Sequence, residues 1–111
     1  MSITEHEQNG IYIFAIEGRI DTEGANEMDD KLQAAATGGK YKMILDMAKV
    51  PYISSNGLRT MADILTTNQD HDGDLKLVGL TPKVMRVLQI VGFDKFFSFY
   101  ETVEDATAAF S

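Results

Sequence analysis

Cysteine is absent from the 111 residues, so disulfides, thiolate zinc sites and cysteine nucleophiles are all excluded. Tryptophan is absent as well, and only two prolines interrupt the chain. Basic clusters are also missing: ten Lys and Arg are scattered among seventeen Asp and Glu, for a formal net charge of -7. Phosphate backbones and anionic lipid surfaces are bound by grouped cations, so neither nucleic acid nor membrane insertion is expected. No apolar run approaches the ~20 residues needed to span a bilayer. The opening "MSITEHEQNG" lacks the positive start and apolar middle of a secretory signal, and a cytoplasmic location is the expectation.

Several chemical motifs are missing too. There is no G-x-x-x-x-G-K-[ST] and no G-x-G-x-x-G, hence no nucleotide-cradling loop. The two histidines, His6 and His71, stand far apart in polar segments without Ser or Asp at motif spacing. Asp70, His71, Asp72 and Asp74 gather around Gly73, but the glycine is misplaced for a calcium loop and no Glu closes it. A solvated acidic loop is the better reading, and no metal or cofactor is expected. Met28, Met61 and Met85 fall on or near helical stripes and read as core filler.

What is present is ordinary globular material, 44% hydrophobic and 24% charged, expected to form a single domain over residues 1–111. Ser2 to Gln8 reads as a polar edge strand joined through an Asn9-Gly10 hairpin turn to "IYIFAIEG". That second strand is apolar on both faces, Ile11, Ile13 and Ala15 on one and Tyr12, Phe14 and Ile16 on the other, and should be covered on both sides. Ala25, Met28, Leu32 and Ala35 then repeat at helical spacing up to Gly38-Gly39. "KYKMILDM" is a central strand ending at Asp46, and Leu58, Met61, Ala62 and Leu65 form a helix face that gives way to a polar loop, "TTNQDHDGD". "LKLVGL" is a buried strand, Thr81-Pro82 opens a helix that Gly92 stops, "FFSFY" is a strand, and Thr102 caps a short last helix. The order β-β-α-β-α-β-α-β-α calls for a mixed sheet of about five strands carrying about four helices.

The stretch "PYISSNGLR", Pro51 to Arg59, carries the functional question. Asn56-Gly57 would suit a hairpin, but the residues after it repeat at helical rather than strand spacing. A helix therefore begins here, and Ser54, Ser55 or Asn56 could cap it. The serines either serve only as caps or carry a function.

"LDMAKVPYISSNGLRTMADIL" resembles the signature of STAS domains of the bacterial anti-sigma factor antagonist type. "EGRIDTEGANEMDDKL" resembles the family's second signature, and "LKLVGLTPKVMRVLQIVGFDKFFSFYETVEDATAAF" its C-terminal half, so the likeness covers essentially the whole chain. The resemblance implies a STAS-like α/β fold and a partner-switching role. The unphosphorylated antagonist binds a serine kinase that is also the anti-sigma factor, freeing sigma. Phosphorylation of a serine at the start of the second helix ends the complex, and a serine phosphatase restores it. Aligned on Gly57-Leu58, the family's phosphorylated serine falls on Ser55, with Ser54 as a rival acceptor where Asp is common. Asn56 stands where a second small hydroxyl residue is frequent. The acidic residue of the second signature falls on Asp21, which reads equally as a helix cap.

The implied partner surface comprises Asp21, Ser54, Ser55, Asn56, Gly57 and Arg59 together with the exposed side of the second helix. Ile53, Leu58 and Met61 would add apolar support if partly exposed, or belong to the core. Two alternatives stay open. One is a constitutive STAS scaffold subunit of a stress-signalling or lipid-transport complex. The other is a small α/β enzyme using Ser55 as nucleophile beside Asp21.

Overall fold

A computed structural model describes residues 1–110. Nine-residue spacing between alternating segments brings β1 (Ser2–Gln8) back along β2 (Ile11–Glu17) as an antiparallel pair. Asn9 and Gly10 turn the corner at φ of 54° and 80°, the left-handed pair that a two-residue hairpin needs. From β2 onward every connection passes through a helix, and the strands run parallel as the βαβ rule requires. The order is α1 (Thr22–Thr37), β3 (Lys42–Lys49), α2 (Ser55–Gln69), β4 (Asp74–Val78), α3 (Pro82–Val91), β5 (Phe99–Tyr100) and α4 (Val103–Ala108). Strand order in the five-stranded sheet follows the chain, β1-β2-β3-β4-β5.

The two sheet faces are covered unequally. Phe14, Met43, Leu45, Leu75 and Leu77 point to one face and pack with Met28 and Leu32 of α1, Met61 and Ile64 of α2, and Leu88 of α3 in one buried cluster. The opposite face holds a smaller cluster, Ile11, Ile13, Ile44 and Val78 under Ala106 of α4. Six residues of α4 do not reach the whole face. Ala15, on the side of Ile11 and Ile13, is exposed, and so is Ala48 farther along. The expectation of a strand covered on both sides therefore holds only for the first half of β2.

Three further boundaries move. Helix α2 continues through "TTNQ", read above as loop, because Asn68 is fully buried and its side-chain amide donates to the Asp74 carbonyl at 3.0 Å. The two strand residues Phe99 and Tyr100 are all that remain of "FFSFY": Gly92 at φ 80° ends α3, and Phe93–Lys95 make a 3-10 turn. Strand β3 runs three residues beyond Asp46, to Lys49. Gly73, at the tight link into β4, has no room for a β-carbon, which would collide with the Tyr41 carbonyl.

Candidate functional site

Parallel strands deliver all their following helices to one edge of the sheet, and sites of open α/β sheets form outside the carboxyl ends of the strands. Here the turns after β2, β3 and β4 each place a capping side chain at that edge. Asp21 Oδ1 accepts from Gly24 N at 2.8 Å, Ser54 Oγ from Gly57 N at 3.2 Å, and Thr81 Oγ1 from Val84 N at 3.3 Å.

The turns are tied to one another by backbone. Ile20 N donates to Tyr52 O at 2.9 Å and Ser54 N to Ile20 O at 2.7 Å, flanking a parallel bridge between Ile20 and Ile53. That register sets Asp21 level with Ser54. Thr81 Oγ1 donates to Val50 O at 3.3 Å, which joins the third turn to the second. Arg19 lies over the Tyr52 ring at 4.3 Å, a cation–π pair spanning the first two turns.

The geometry separates the two serines. Ser54 has extended dihedrals, φ -82° and ψ 167°, and its hydroxyl is engaged in the cap. Ser55 is the first helical residue and is exposed, as are Asn56 and Arg59. The backbone N–H groups of a first helical turn have no partner inside the helix and carry the positive end of its dipole. Ser55 thus presents a hydroxyl to solvent where negative charge is electrostatically welcome. Ser54→Ala is expected to cost about 1 kcal/mol of stability through loss of the cap, read as a lowered chemical-denaturation midpoint at unchanged slope.

Gly57 is buried, and its packing explains why. A β-carbon there would come within 2.8 Å of Ile20 Cγ2 and of Ile53 Cγ1. The helix start is therefore pressed directly onto the bridge that joins the Asp21 and Ser54 turns. Ile53, Leu58 and Met61 are all buried, at 3%, 7% and 0% exposure, and belong to the core, with Leu58 also reaching the floor of a hollow beside Ser55.

The other polar candidates lie elsewhere. His71 follows the far end of α2 from Ser55 and stacks on Tyr41 with ring centroids 4.1 Å apart, while His6 is on edge strand β1. Asp74 is occupied by Leu75 N at 2.8 Å and by the Lys76 ammonium at 2.9 Å. Among the described residues no group of three or more His, Cys, Asp or Glu is disposed to hold a metal, and no helix is long and apolar enough to cross a membrane.

Sequence reasoning left the cap open among three residues and missed the bridge and the Arg19–Tyr52 stack. A signal for the cap was available. Ile53 just before Ser54 and Leu58 five residues on occupy the hydrophobic-staple positions, and both are buried in the same cluster.

A family model described as the STAS domain matches residues 2–106. A Bordetella bronchiseptica protein provisionally named anti-sigma factor antagonist BtrV is 31% identical over 110 residues, covering 99% of this chain and 95% of its own. A crystal structure of an anti-sigma factor antagonist of similarly provisional name, from Thermotoga maritima, superposes with a TM-score of 0.91 at 22% identity, over 96% of this chain and 92% of that one. The Bacillus cell fate determinant SpoIIAA in its phosphorylated form gives 0.78 at 15% identity, over 99% and 100%.

Proposed function

Because this chain belongs to the STAS domain family, we propose that it is an anti-sigma factor antagonist whose binding is switched at Ser55. The observation that carries the reading is the division of labour at the α2 start. Ser54 supplies the cap, and the Ser55 hydroxyl stands free and exposed beside it. The name of the Bordetella protein supports the antagonist role, and the occurrence of SpoIIAA, a protein of this fold, in a phosphorylated form supports regulation by phosphorylation.

In this reading the unmodified chain docks on an anti-sigma factor that is also a serine kinase, and so releases sigma. Contact is made through Ser55, Asn56 and Arg59, with Asp21 and Ser54 alongside and Gly57 holding the turn in place. The kinase transfers the γ-phosphoryl group of ATP to Ser55 Oγ, whose proton is lost, leaving ADP. A serine phosphatase returns the hydroxyl by hydrolysis, releasing inorganic phosphate. The chain contributes no catalytic group; it is the substrate of both enzymes, acting as a one-domain cytoplasmic switch.

The switch follows from two unequal energies. A phosphate adds about -1.5 to -2 charges, which the helix dipole favours by roughly 0.3–1 kcal/mol, so the fold tolerates it. Burying that charge in an interface without a partner costs several kcal/mol, so the complex does not.

The test is phosphotransfer from ATP by an anti-sigma factor serine kinase of the same organism, with the site mapped by mass spectrometry. Ser55→Ala is expected to abolish incorporation, and Ser54→Ala to retain it. Incorporation undiminished in Ser55→Ala would overturn the assignment.

A further inference from the structure

We propose that the groove between α2 and the α3–β5 connection receives an amphipathic helix of the anti-sigma partner, apolar on one face and acidic along its rim. This rests on the antagonist reading above and extends its contact away from Ser55.

The exposed apolar surface is concentrated at this place. Among the described residues four large hydrophobics stand out into solvent; three of them, Ile90 at 72%, Val91 at 48% and Phe96 at 65%, lie within one seven-residue segment, and of these Val91 and Phe96 line the hollows there. The fourth, Met1, is at the chain start. Such a cluster on a small domain is the ordinary sign of an interaction site. Two hollows lie beside it. One, about 340 Å³, runs from Ser55 and Arg59 to Val91 and Phe93. The other, about 470 Å³, runs from Leu65 to Phe96 and Lys95. Both are lined by Ala62 and Phe93, so they form one groove that begins at the serine.

Shape and charge choose the occupant. Helix α2 forms one wall from Ser55 to Gln69, about 21 Å at 1.5 Å per residue, a length that matches about four turns of a second helix. The chain carries -7 overall, yet no Asp or Glu lines either hollow, and the charged side chains there are Arg59 and Lys95. Both are exposed, and among the described residues the lysines paired with carboxylates are Lys40 and Lys76. Two free cations at the two ends of an apolar trough complement acidic residues flanking an apolar stripe. A second copy of this chain fits poorly. A two-fold contact would set each basic rim against the other between two bodies of like net charge.

Phe96→Asp and Val91→Asp, both at exposed positions that line the groove, are expected to weaken binding to the anti-sigma factor kinase by about tenfold or more in calorimetric titration, with circular dichroism unchanged. Arg59→Glu with Lys95→Glu should weaken it further and flatten its salt dependence. In the phosphotransfer assay Phe96→Asp should raise KM and leave kcat in place. Wild-type affinity in both Phe96→Asp and Val91→Asp, with binding lost in Ser55→Asp, would overturn the groove and leave the Ser55 reading standing. The reverse pattern would keep the groove and remove the switch. A wild-type dimer that Phe96→Asp converts to monomer in sedimentation would reassign the groove to self-association and overturn the proposal.

Discussion

Ser55→Asp is expected to weaken the complex with the anti-sigma factor by about 100-fold or more, equivalent to about 2.7 kcal/mol, while leaving the melting temperature within a few degrees of wild type. The two halves of this expectation have separate causes. In the free chain, residue 55 is the first helical position and is exposed, so a carboxylate there sits in solvent at the positive end of α2. The dipole makes that neutral to favourable, by about 0.3–1 kcal/mol. In the proposed complex the same group would be enclosed. Asp21 stands level with Ser54 across the bridge, so any surface that covers both turns already accommodates one acid and would have to accommodate a second. A buried charge left without a partner costs about 3–5 kcal/mol, which exceeds the gain several times over.

Ser55→Ala is the control, since it removes the hydroxyl without adding charge and should bind within a few fold of wild type. Titration calorimetry on the three proteins, with thermal melts of each, separates the effect of charge from loss of a contact. A complex of equal affinity with Ser55→Asp would remove the switch and favour a constitutive scaffold subunit instead.

The sequence made the scaffold readable because each parallel crossover announces itself by an apolar strand, a turn and a 3.6-residue stripe. The three- and four-residue steps through Met28, Leu32 and Ala35 and through Leu58, Met61 and Leu65 correspond to buried faces of α1 and α2. The errors share a cause: local composition stood for something that tertiary contact decides. Asn68 looks like a loop residue, yet inside the fold its amide holds the start of β4, and the helix extends to include it. The aromatics of "FFSFY" suit a strand, but Phe96 is turned out to solvent and two residues pair with β4. That misreading also hid the groove, since an aromatic assigned to a buried strand is not counted as exposed surface. At the site itself, the helix start and the serine pair were legible from periodicity. Which serine capped was not, because the choice depends on the Ile20–Ile53 bridge, between residues 33 positions apart in the chain.

The same bridge sets the largest expected effect on stability. Gly57→Val should destabilise the fold by about 3 kcal/mol and lower the melting temperature by about 12 °C for a domain of this size. A helical glycine is normally a liability, and replacing it by alanine elsewhere in a helix gains roughly 0.5–1 kcal/mol. Here the gain is overridden by contact. The new β-carbon would lie 2.8 Å from carbon atoms of two side chains, Ile20 and Ile53, that are themselves 0% and 3% exposed. Both are β-branched and stiff at χ1, so they cannot turn aside without moving the backbone that carries them. That backbone holds the Asp21 and Ser54 turns together through Ile20 N–Tyr52 O and Ser54 N–Ile20 O. Gly57→Val should therefore weaken partner binding and stability together, in contrast to Ser55→Asp, which separates them. A double-mutant cycle tests the cause directly. Ile53→Ala removes one of the two obstructing carbons, so the cost of Gly57→Ala should fall by about 1 kcal/mol in that background. An unchanged cost would mean that the turn gives way by backbone movement rather than by collision, and that the close approach of α2 to the bridge is not what keeps Ser55 at the surface.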